Sequence, residues 1–355
     1  MPALSPAPAA FAIPGDLSTR TGGYNYERSL LHALQASGRD VAYIRLGDSF
    51  PHPTPQDSAH ALRALQALPP ERVLVLDGLV FGSIDTEGLA RVRAPVVAML
   101  HHPLGLEAGL APDRAAALIA RETANLRLAA HVAVPSPHTA RILAADFGVA
   151  PERITIALPG FDRPGPAVTA RAEPPLILSV GILCERKGHD VLLEALARNA
   201  DLPWQAEIVG LTHDPAVETA LRRQRAALGL EGRVRLAGCI PDTALERLYS
   251  GARVFALATR YEGYGLVFSE AMLHGLPVVT CAVGAVPETL PEGAGILVAP
   301  DDPAAFAAAL RRMLTDPALH TACSARARAA AADLPRWSDT AAVIGDVLDR
   351  LARQG

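Results

Sequence analysis

The sequence predicts an α/β chain built from two successive doubly wound domains. Three observations carry this. At 355 residues the chain exceeds one ordinary hydrophobic core, so two domains of similar size are expected. Apolar runs of strand length alternate with amphipathic stretches from one end to the other, the pattern of parallel sheets crossed by helices. The alternation pauses once, in the Pro- and Gly-rich PGFDRPGPAVTARAEPP (159–175), which reads as a linker. The boundaries follow: one domain over 1–165, a second over 166–336, and a closing segment over 337–355.

Each element has its own signal. FAI (11–13), VAYIRL (41–46), VLVL (73–76), VVAML (96–100), HVAV (131–134) and ITIAL (154–158) are apolar enough to be strands buried on both faces. Between them Asn25–Ser37, Ala59–Ala67 and Ala115–Ala130 carry helical periodicity. After the linker come LILSV (176–180), AEIVG (206–210), VRLAG (234–238), VFALAT (254–259), PVVT (277–280) and GILV (295–298). Trp337 to Leu351 is again helical in pattern, carried by Ala341, Val343, Ile344, Val347, Leu348 and Leu351. In such a layout ligands are expected at the carboxyl ends of the strands, in a cleft.

Composition narrows the function classes. Half of the residues are apolar and a fifth charged, which fits a globular protein. The net charge of −4 is spread over both halves, so no basic face for nucleic acid is expected. Cys184, Cys239, Cys281 and Cys323 lie far apart without CxxC spacing. Neither a disulfide framework nor a metal site is suggested, and a reducing cytoplasm is the expected compartment. The opening MPALSPAPAAFAIPG lacks a positive stretch and a long apolar core, so no signal peptide is expected. No apolar run approaches the ~20 residues of a membrane span. There is no G-x-G-x-x-G after the first strand and no G-x-x-x-x-G-K-[ST], which counts against a nicotinamide dehydrogenase and a P-loop nucleotidase. Ser136 precedes Pro137 without a G-x-S-x-G context, so a hydrolase elbow is not supported.

The most informative stretch is YEGYGLVFSEAMLHGLPVV (261–279). Its glycines fall where a strand turns into a helix, the place where backbone amides point outward and the helix dipole is positive. Gly263, Tyr264, Gly265, Leu266 and Val267 make up that turn and helix start, a place to hold a phosphate. Glu262 stands at the mouth of the turn and Glu270 two turns into the helix, where the two carboxylates suit hydroxyl groups such as those of a ribose. Lys187 is the only lysine among 33 basic residues, and it follows Arg186 in a strand-to-helix loop. A compact ammonium beside a planar guanidinium suits a phosphate; the plain alternative is a solvated pair. His101 and His102 follow the strand VVAML, at the expected cleft, where an imidazole orients or polarises a hydroxyl. A structural histidine is the plain alternative there, and nothing nearby completes a metal-like spacing. Gly22 and Gly23 stand between the first strand and its helix, where glycine lets backbone approach an anion. Glu107 and Asp77 are weaker candidates for a base, because nothing in their spacing singles them out.

Taken together these residues resemble glycosyltransferase family 4, the retaining group with the GT-B fold. The resemblance runs in order through TGGYNYERSLLHALQASG, the histidine after VVAML, VPSPHTARIL, the PGFD turn (159–162), ERKGHDVLLEAL, VRLAGCIPDTALERLYSGARVFALATR and YEGYGLVFSEAMLHGLPVV. It implies two Rossmann-like domains facing a central cleft, with a nucleotide-diphosphate sugar held mainly by the second. It also implies a final helix that returns to the first domain. Glu262 would contact sugar hydroxyls and Glu270 the ribose. Arg186 and Lys187 would neutralise the diphosphate, and Ile240 would lie along the base. His101 would stand close to the sugar, and Gly22–Gly23 would form the loop closing on diphosphate and acceptor. Two positions depart from the pattern: Ile182 stands where many members carry Arg, and Pro159–Gly160 replaces an Asn-Gly turn.

The resemblance implies transfer of a hexose from a UDP- or GDP-sugar to an acceptor hydroxyl with retention, with no cofactor and no required metal. The leaving phosphate oxygen would take the acceptor's proton. The competing expectations are an inactive donor-binding partner subunit, and a GT-B enzyme of other chemistry such as an epimerase or a phosphorylase. The acceptor is expected to be a glycan or a lipid. PLGLEAGLAP (103–112) reads either as an apolar loop that skims the cytoplasmic face of a membrane or as a buried cap, followed by Arg114, Arg121 and Arg127.

Overall fold

The computed structural model describes residues 6–107, 109–165 and 171–354. The linker residues 166–170, Ala108 of the apolar loop and the first five residues lie outside the described residues. Among the described residues twelve strands run β1 (Ala9–Pro14), β2 (Val41–Leu46), β3 (Val73–Asp77), β4 (Val96–Met99), β5 (His131–Val134), β6 (Ile154–Ile156), β7 (Leu176–Val180), β8 (Gln205–Val209), β9 (Val234–Gly238), β10 (Val254–Leu257), β11 (Val278–Cys281) and β12 (Gly295–Val298). They form two six-stranded sheets, ordered β2-β1-β3-β4-β5-β6 and β12-β11-β10-β7-β8-β9. Every pairing is parallel. The expected α/β architecture of two doubly wound sheets is what the chain adopts. Two units result, one from residues up to Gly160 together with Pro335 onward, the other from Phe161–Leu334.

In the first unit the period-2 alternation of the strands divides two cores. Ala10, Ala12, Leu74, Leu76 and Ala98 face one way, toward Ala61 and Leu65 of the helix Pro55–Gln66 and Leu143 of Pro137–Asp146. Phe11, Ile13, Val73, Val75 and Met99 face the other, toward Leu30 and Leu34 of the helix Gly22–Ala36. The same core takes Ile344, Val347 and Leu348 from the last helix, Trp337–Ala352. That helix is fastened by Arg39, whose guanidinium donates to both oxygens of Asp349 at 2.7 and 3.1 Å and to the Gly345 carbonyl at 3.2 Å. The Thr340 hydroxyl adds a bond to the Leu158 carbonyl at 2.7 Å. Gly160 packs so close to the Trp337 backbone that any side chain there would collide with it.

One boundary differs from the sequence reading in a way that matters. Gly22 and Gly23 are not a loop ahead of a helix but its first two residues, because Thr21 accepts the Tyr24 amide as N-cap and starts the helix three residues early. Glycine is tolerated there because the first turn makes no intrahelical amide bond to lose. The other helices likewise start earlier than their apolar periodicity, at Pro55 and Pro112, each with proline at an N-terminal position.

In the second unit the order reverses between β7 and β10. One core holds Ile208, Val254 and Ala256 against Leu192 and Leu193 of the helix His189–Ala197 and Phe306 of Pro303–Thr315. The other holds Leu178, Phe255 and Leu257 against Phe268 of the helix Leu266–Leu273. The loops leaving β7 and β10 therefore lie side by side at the reversal, where an open α/β sheet has room for a ligand. Among the described residues, no helix is long and apolar enough to cross a membrane.

Candidate functional site

The site in the second unit is built from those two loops. After β7 the chain passes Gly181 and Ile182 and tightens into a short 3-10 turn, Glu185–Lys187, closed by Gly188 in the left-handed region at φ 62°. A side chain at Gly188 would run into the Ala258 carbonyl at the end of β10, so this position needs glycine for both its conformation and its space. The turn is braced from β10's side. Arg260 grips Asp190 with two bonds of 3.0 and 2.7 Å and Asp301 with one of 2.7 Å. It also donates to the Glu185 carbonyl, and its own amide to the Arg186 carbonyl at 2.8 Å.

This bracing brings Lys187 onto Glu262. The lysine stem lies across Gly181, and its Nζ donates to Glu262 Oε1 at 2.6 Å. The Thr259 hydroxyl donates to the same oxygen at 3.0 Å, while Arg186 Nη1 stands 3.8 Å from Oε2. Arg186 also donates to the Tyr261 carbonyl at 3.0 Å. Lys187 and Glu262 are both buried. Burial alone would raise the Glu262 carboxyl, but the Lys187 and Arg186 charges and the two hydrogen bonds hold it below its ordinary value. Glu262 is thus an ionised carboxylate in a buried cationic setting. Lysine keeps further donors after this bond, so the ammonium can serve a second anion.

Just beyond Glu262, Gly265 takes φ 90° and starts the helix Leu266–Leu273 without a side-chain cap. A Cβ there would strike the Phe268 ring and lie 3.7 Å from Glu262 Cγ. The amides of Leu266 and Val267 therefore open the helix beside Glu262, at its positive end. The Tyr264 hydroxyl lies 3.3 Å from Ser269 Oγ, and its carbonyl accepts from Thr289 at 2.6 Å, which pins the Gly263–Gly265 turn. In the next turn Glu270 accepts the Tyr249 hydroxyl at 2.9 Å, and burial raises its carboxyl. Ile240 follows β9 and packs at the edge of the core around Phe268. Lys187, Arg186, Glu262 and the Gly263–Val267 turn are thus one assembly, with Glu270 one turn along its helix rather than the two expected from the sequence. Thr259, Arg260 and Tyr249 complete it, and motif reading passed over all three. Thr259 and Arg260 follow an apolar strand at its carboxyl end, a signal that was available.

In the first unit His101 and His102 lie in a bend after β4, so strand alternation does not govern them. His101 Nε2 stands 3.5 Å from Glu27 Oε1, and the His101 ring meets the edge of Tyr26 at 4.9 Å between centroids. A Cβ on Gly23 would lie 3.6 Å from His101 Cδ2, so these two candidates are neighbours. Gly22 precedes it at the start of the helix. Burial lowers the imidazole's pKa, opposed by the nearby Asp77. Asp77 ends β3, and its Oδ1 accepts the Leu79 and Val80 amides at 2.8 and 3.3 Å. Glu107, the other weak candidate, has its Oε2 3.9 Å from His102 Nε2. The apolar loop folds down: Leu104 donates its amide to Glu122 at 3.1 Å and Gly105 packs on Ile119, leaving Leu106 exposed. All four cysteines are free, and among the described residues no group of three His, Cys, Asp or Glu is arranged to hold a metal.

Two family profiles match this chain in succession. "Glycosyltransferase Family 4" covers residues 22–163 and "Glycosyl transferases group 1" covers 166–330. The chain belongs to the group 1 glycosyltransferases. Among curated relatives of this glycosyltransferase, D-inositol 3-phosphate glycosyltransferase 1 of Catenulispora acidiphila is 34% identical over 278 residues, 71% of this chain and 66% of that protein. The D-inositol 3-phosphate glycosyltransferase of Geodermatophilus obscurus is 34% identical over 195 residues, 49% of this chain and 43% of its own length. The matches span between 43% and 66% of the length of these curated relatives. In fold the glycosyltransferase is similar to sucrose-phosphate synthase from Thermosynechococcus elongatus, at TM-score 0.82 and 24% identity over 98% of this chain and 100% of that one. It is also similar to Anabaena HepE in complex with UDP and glucose, at TM-score 0.75 and 18% identity over 97% and 100%. WaaG, a glycosyltransferase involved in lipopolysaccharide biosynthesis, gives 0.77 and 20% over 96% and 99%. These neighbours carry the GT-B fold, and the chain shares it.

Proposed function

We propose that this chain transfers a hexose from a nucleotide-diphosphate sugar, a UDP- or GDP-sugar, to an acceptor hydroxyl with retention at the anomeric carbon. The observation that carries the reading is the placement of the chain's single lysine. Lys187 is buried at the reversal of the second sheet, bonded to Glu262 and beside the amide-rich start of the helix Leu266–Leu273. As the anomeric bond breaks, negative charge grows on the leaving diphosphate. A fixed ammonium, the Arg186 guanidinium and helix-start amides stabilise that charge without reorganising. Glu262 holds the ammonium in place and turns its second oxygen to sugar hydroxyls, while Glu270 accepts from the ribose. The leaving phosphate oxygen takes the acceptor's proton, so the reaction needs neither a protein nucleophile nor a metal. His101 is the histidine that meets a substrate hydroxyl in the first unit.

A solved neighbour titled as a complex with UDP and glucose supports a uridine diphosphate sugar as the first donor to try. The names of the curated relatives make D-inositol 3-phosphate the first acceptor to try, ahead of glycans and lipids. The test is a thermal-shift screen of UDP- and GDP-sugars followed by a transfer assay with the donor that binds. Stabilisation by one nucleotide sugar, and its turnover with an acceptor, is the expected result. Binding without any transfer or donor hydrolysis would favour a donor-binding partner subunit instead.

A further inference from the structure

Two buried carboxyl groups and a partly buried imidazole meet at the carboxyl edge of the first sheet, where the strand order turns between β1 and β3. Glu27 comes from the helix that follows β1, Asp77 ends β3, and His101 follows β4. Glu27 is 1% exposed and Asp77 4%. The two carboxyl groups lie close enough for each to shift the other's titration. Two carboxylates have no donor between them, so a bond between these groups requires one shared proton. Asp77 Oδ1 already accepts two backbone amides, which orients that carboxyl from behind. On its other side Glu27 Oε1 stands 3.5 Å from His101 Nε2, and neither atom has a hydrogen-bond partner among the described residues. A separation of this size is common between catalytic groups before substrate arrives. The ring's plane is set by the edge of Tyr26, whose own hydroxyl is tied to the Ala157 carbonyl at 2.7 Å.

We propose that Glu27 and Asp77 are positioning residues for His101: with one proton shared between them they keep one negative charge. Glu27 then accepts from Nε2–H, and the imidazole is held in the tautomer whose Nδ1 accepts a hydrogen bond from a substrate hydroxyl. The proposal rests on the reading of His101 as the histidine that meets substrate. Its logic is that of any imidazole whose free nitrogen is chosen by what the other nitrogen touches. The remaining titratable groups facing the pair are Tyr24, Tyr26, Tyr43 and, through Tyr24, Asp48. Burial raises all three phenols, so they stay neutral, and the pair's charge is the one His101 feels at closest range. A pair that merely stapled the helix to the sheet would not need to aim an oxygen at the imidazole.

The test uses the intact protein labelled with 15N-histidine, the His101 signal being assigned by its loss in His101→Gln. The wild type is expected to show His101 protonated on Nε2. In the double variant Glu27→Gln/Asp77→Asn the pair's negative charge is gone, so the tautomers should mix and the imidazole pKa should fall; either single variant leaves the other carboxyl to carry that charge. Turnover should fall on the order of 10-fold or more in the double variant, with the acid limb of its pH profile moved to lower pH. A wild-type His101 carrying its proton on Nδ1 overturns the proposal, and that readout needs no variant to fold. An unmoved pH limb in a folded double variant also overturns it, marking the pair as purely structural. Full turnover in His101→Gln would instead remove the reading of His101 on which the proposal stands.

Discussion

The Lys187 ammonium and the Glu262 carboxylate, 75 residues apart in sequence, meet at 2.6 Å in the buried reversal of the second sheet. Neither residue is where it is for stability alone. A buried ion pair is commonly no more stabilising than apolar packing of the same volume, since both charges lose their water. What the pair offers is a fixed cation whose remaining donors are aimed by its partner. Lys187→Ala should therefore lower turnover on the order of 10²-fold, the scale of one transition-state donor. It should also strip the buried Glu262 of its nearest cation, leaving only the Thr259 hydroxyl and Arg186 at 3.8 Å, at a cost of up to about 3–5 kcal/mol by urea denaturation. Near-normal turnover in a folded Lys187→Ala would falsify the role.

The Tyr249 hydroxyl holds Glu270 in a single bond of 2.9 Å, so Glu270 keeps an oxygen for a ligand. Glu270→Ala should raise the donor KM by about 10-fold, with a smaller change in kcat, because a ribose contact is made equally in ground and transition states. Tyr249→Phe removes only the orienting bond and should raise KM less. An unchanged donor KM in Glu270→Ala would rule out the ribose contact.

The strands were legible from apolar runs, though their order in the sheets was not, and the expectation of burial on both faces fails for the edge strands β2, β6 and β12, which are only partly covered. The Gly-aromatic-Gly turn and Lys187 were legible too, since glycine and a solitary lysine stand out against a chain rich in Arg and Ala. The partners were harder. Thr259 and Arg260 act on residues 70 or more positions away, and only the fold makes them neighbours. Glu27 left a trace that was missed: it lies on the buried stripe of its helix with Leu30, Leu31 and Leu34, where a carboxylate is out of place. Asp77, noticed only as a weak candidate, left a plainer one as the acid ending an otherwise apolar strand. Helix starts were misplaced for a local reason, since Thr21, Pro55 and Pro112 announce a first turn that has no apolar stripe yet.

Gly188 and Gly229 share the same left-handed backbone, at φ 62° and 67°, but differ in what surrounds them. Nothing lies within 4 Å of a Cβ on Gly229, whereas one on Gly188 would collide with the Ala258 carbonyl. Gly229→Ala should therefore cost roughly 1 kcal/mol, the strain of a left-handed non-glycine residue. Gly188→Ala must in addition push the Glu185–Lys187 turn away from β10, so its loss of stability should be clearly larger, and donor binding should weaken with it. Equal melting temperatures for the two variants would mean that the close approach at Gly188 is not what the turn depends on.

Glu122 supplies the pH prediction, because it is fully buried with one oxygen on the Leu104 amide and the other without a partner among the described residues. Burial pushes its carboxyl up to about 8, with the Leu104 amide pulling the other way. The sign follows from proton counts. Between the unfolded value of 4.5 and about 8 the folded chain keeps a proton that the unfolded chain has lost. Stability therefore falls as pH rises through that window, and the full penalty is present above it. In Glu122→Gln this group no longer titrates, while Glu27 and Asp77 still contribute equally to both proteins. The variant should thus gain on the wild type by up to a few kcal/mol, order of magnitude, between pH 4.5 and 8.5 in urea denaturation. A stability difference that stays constant across that range would show that Glu122 is already ionised in the folded protein, and that its second oxygen has found a donor.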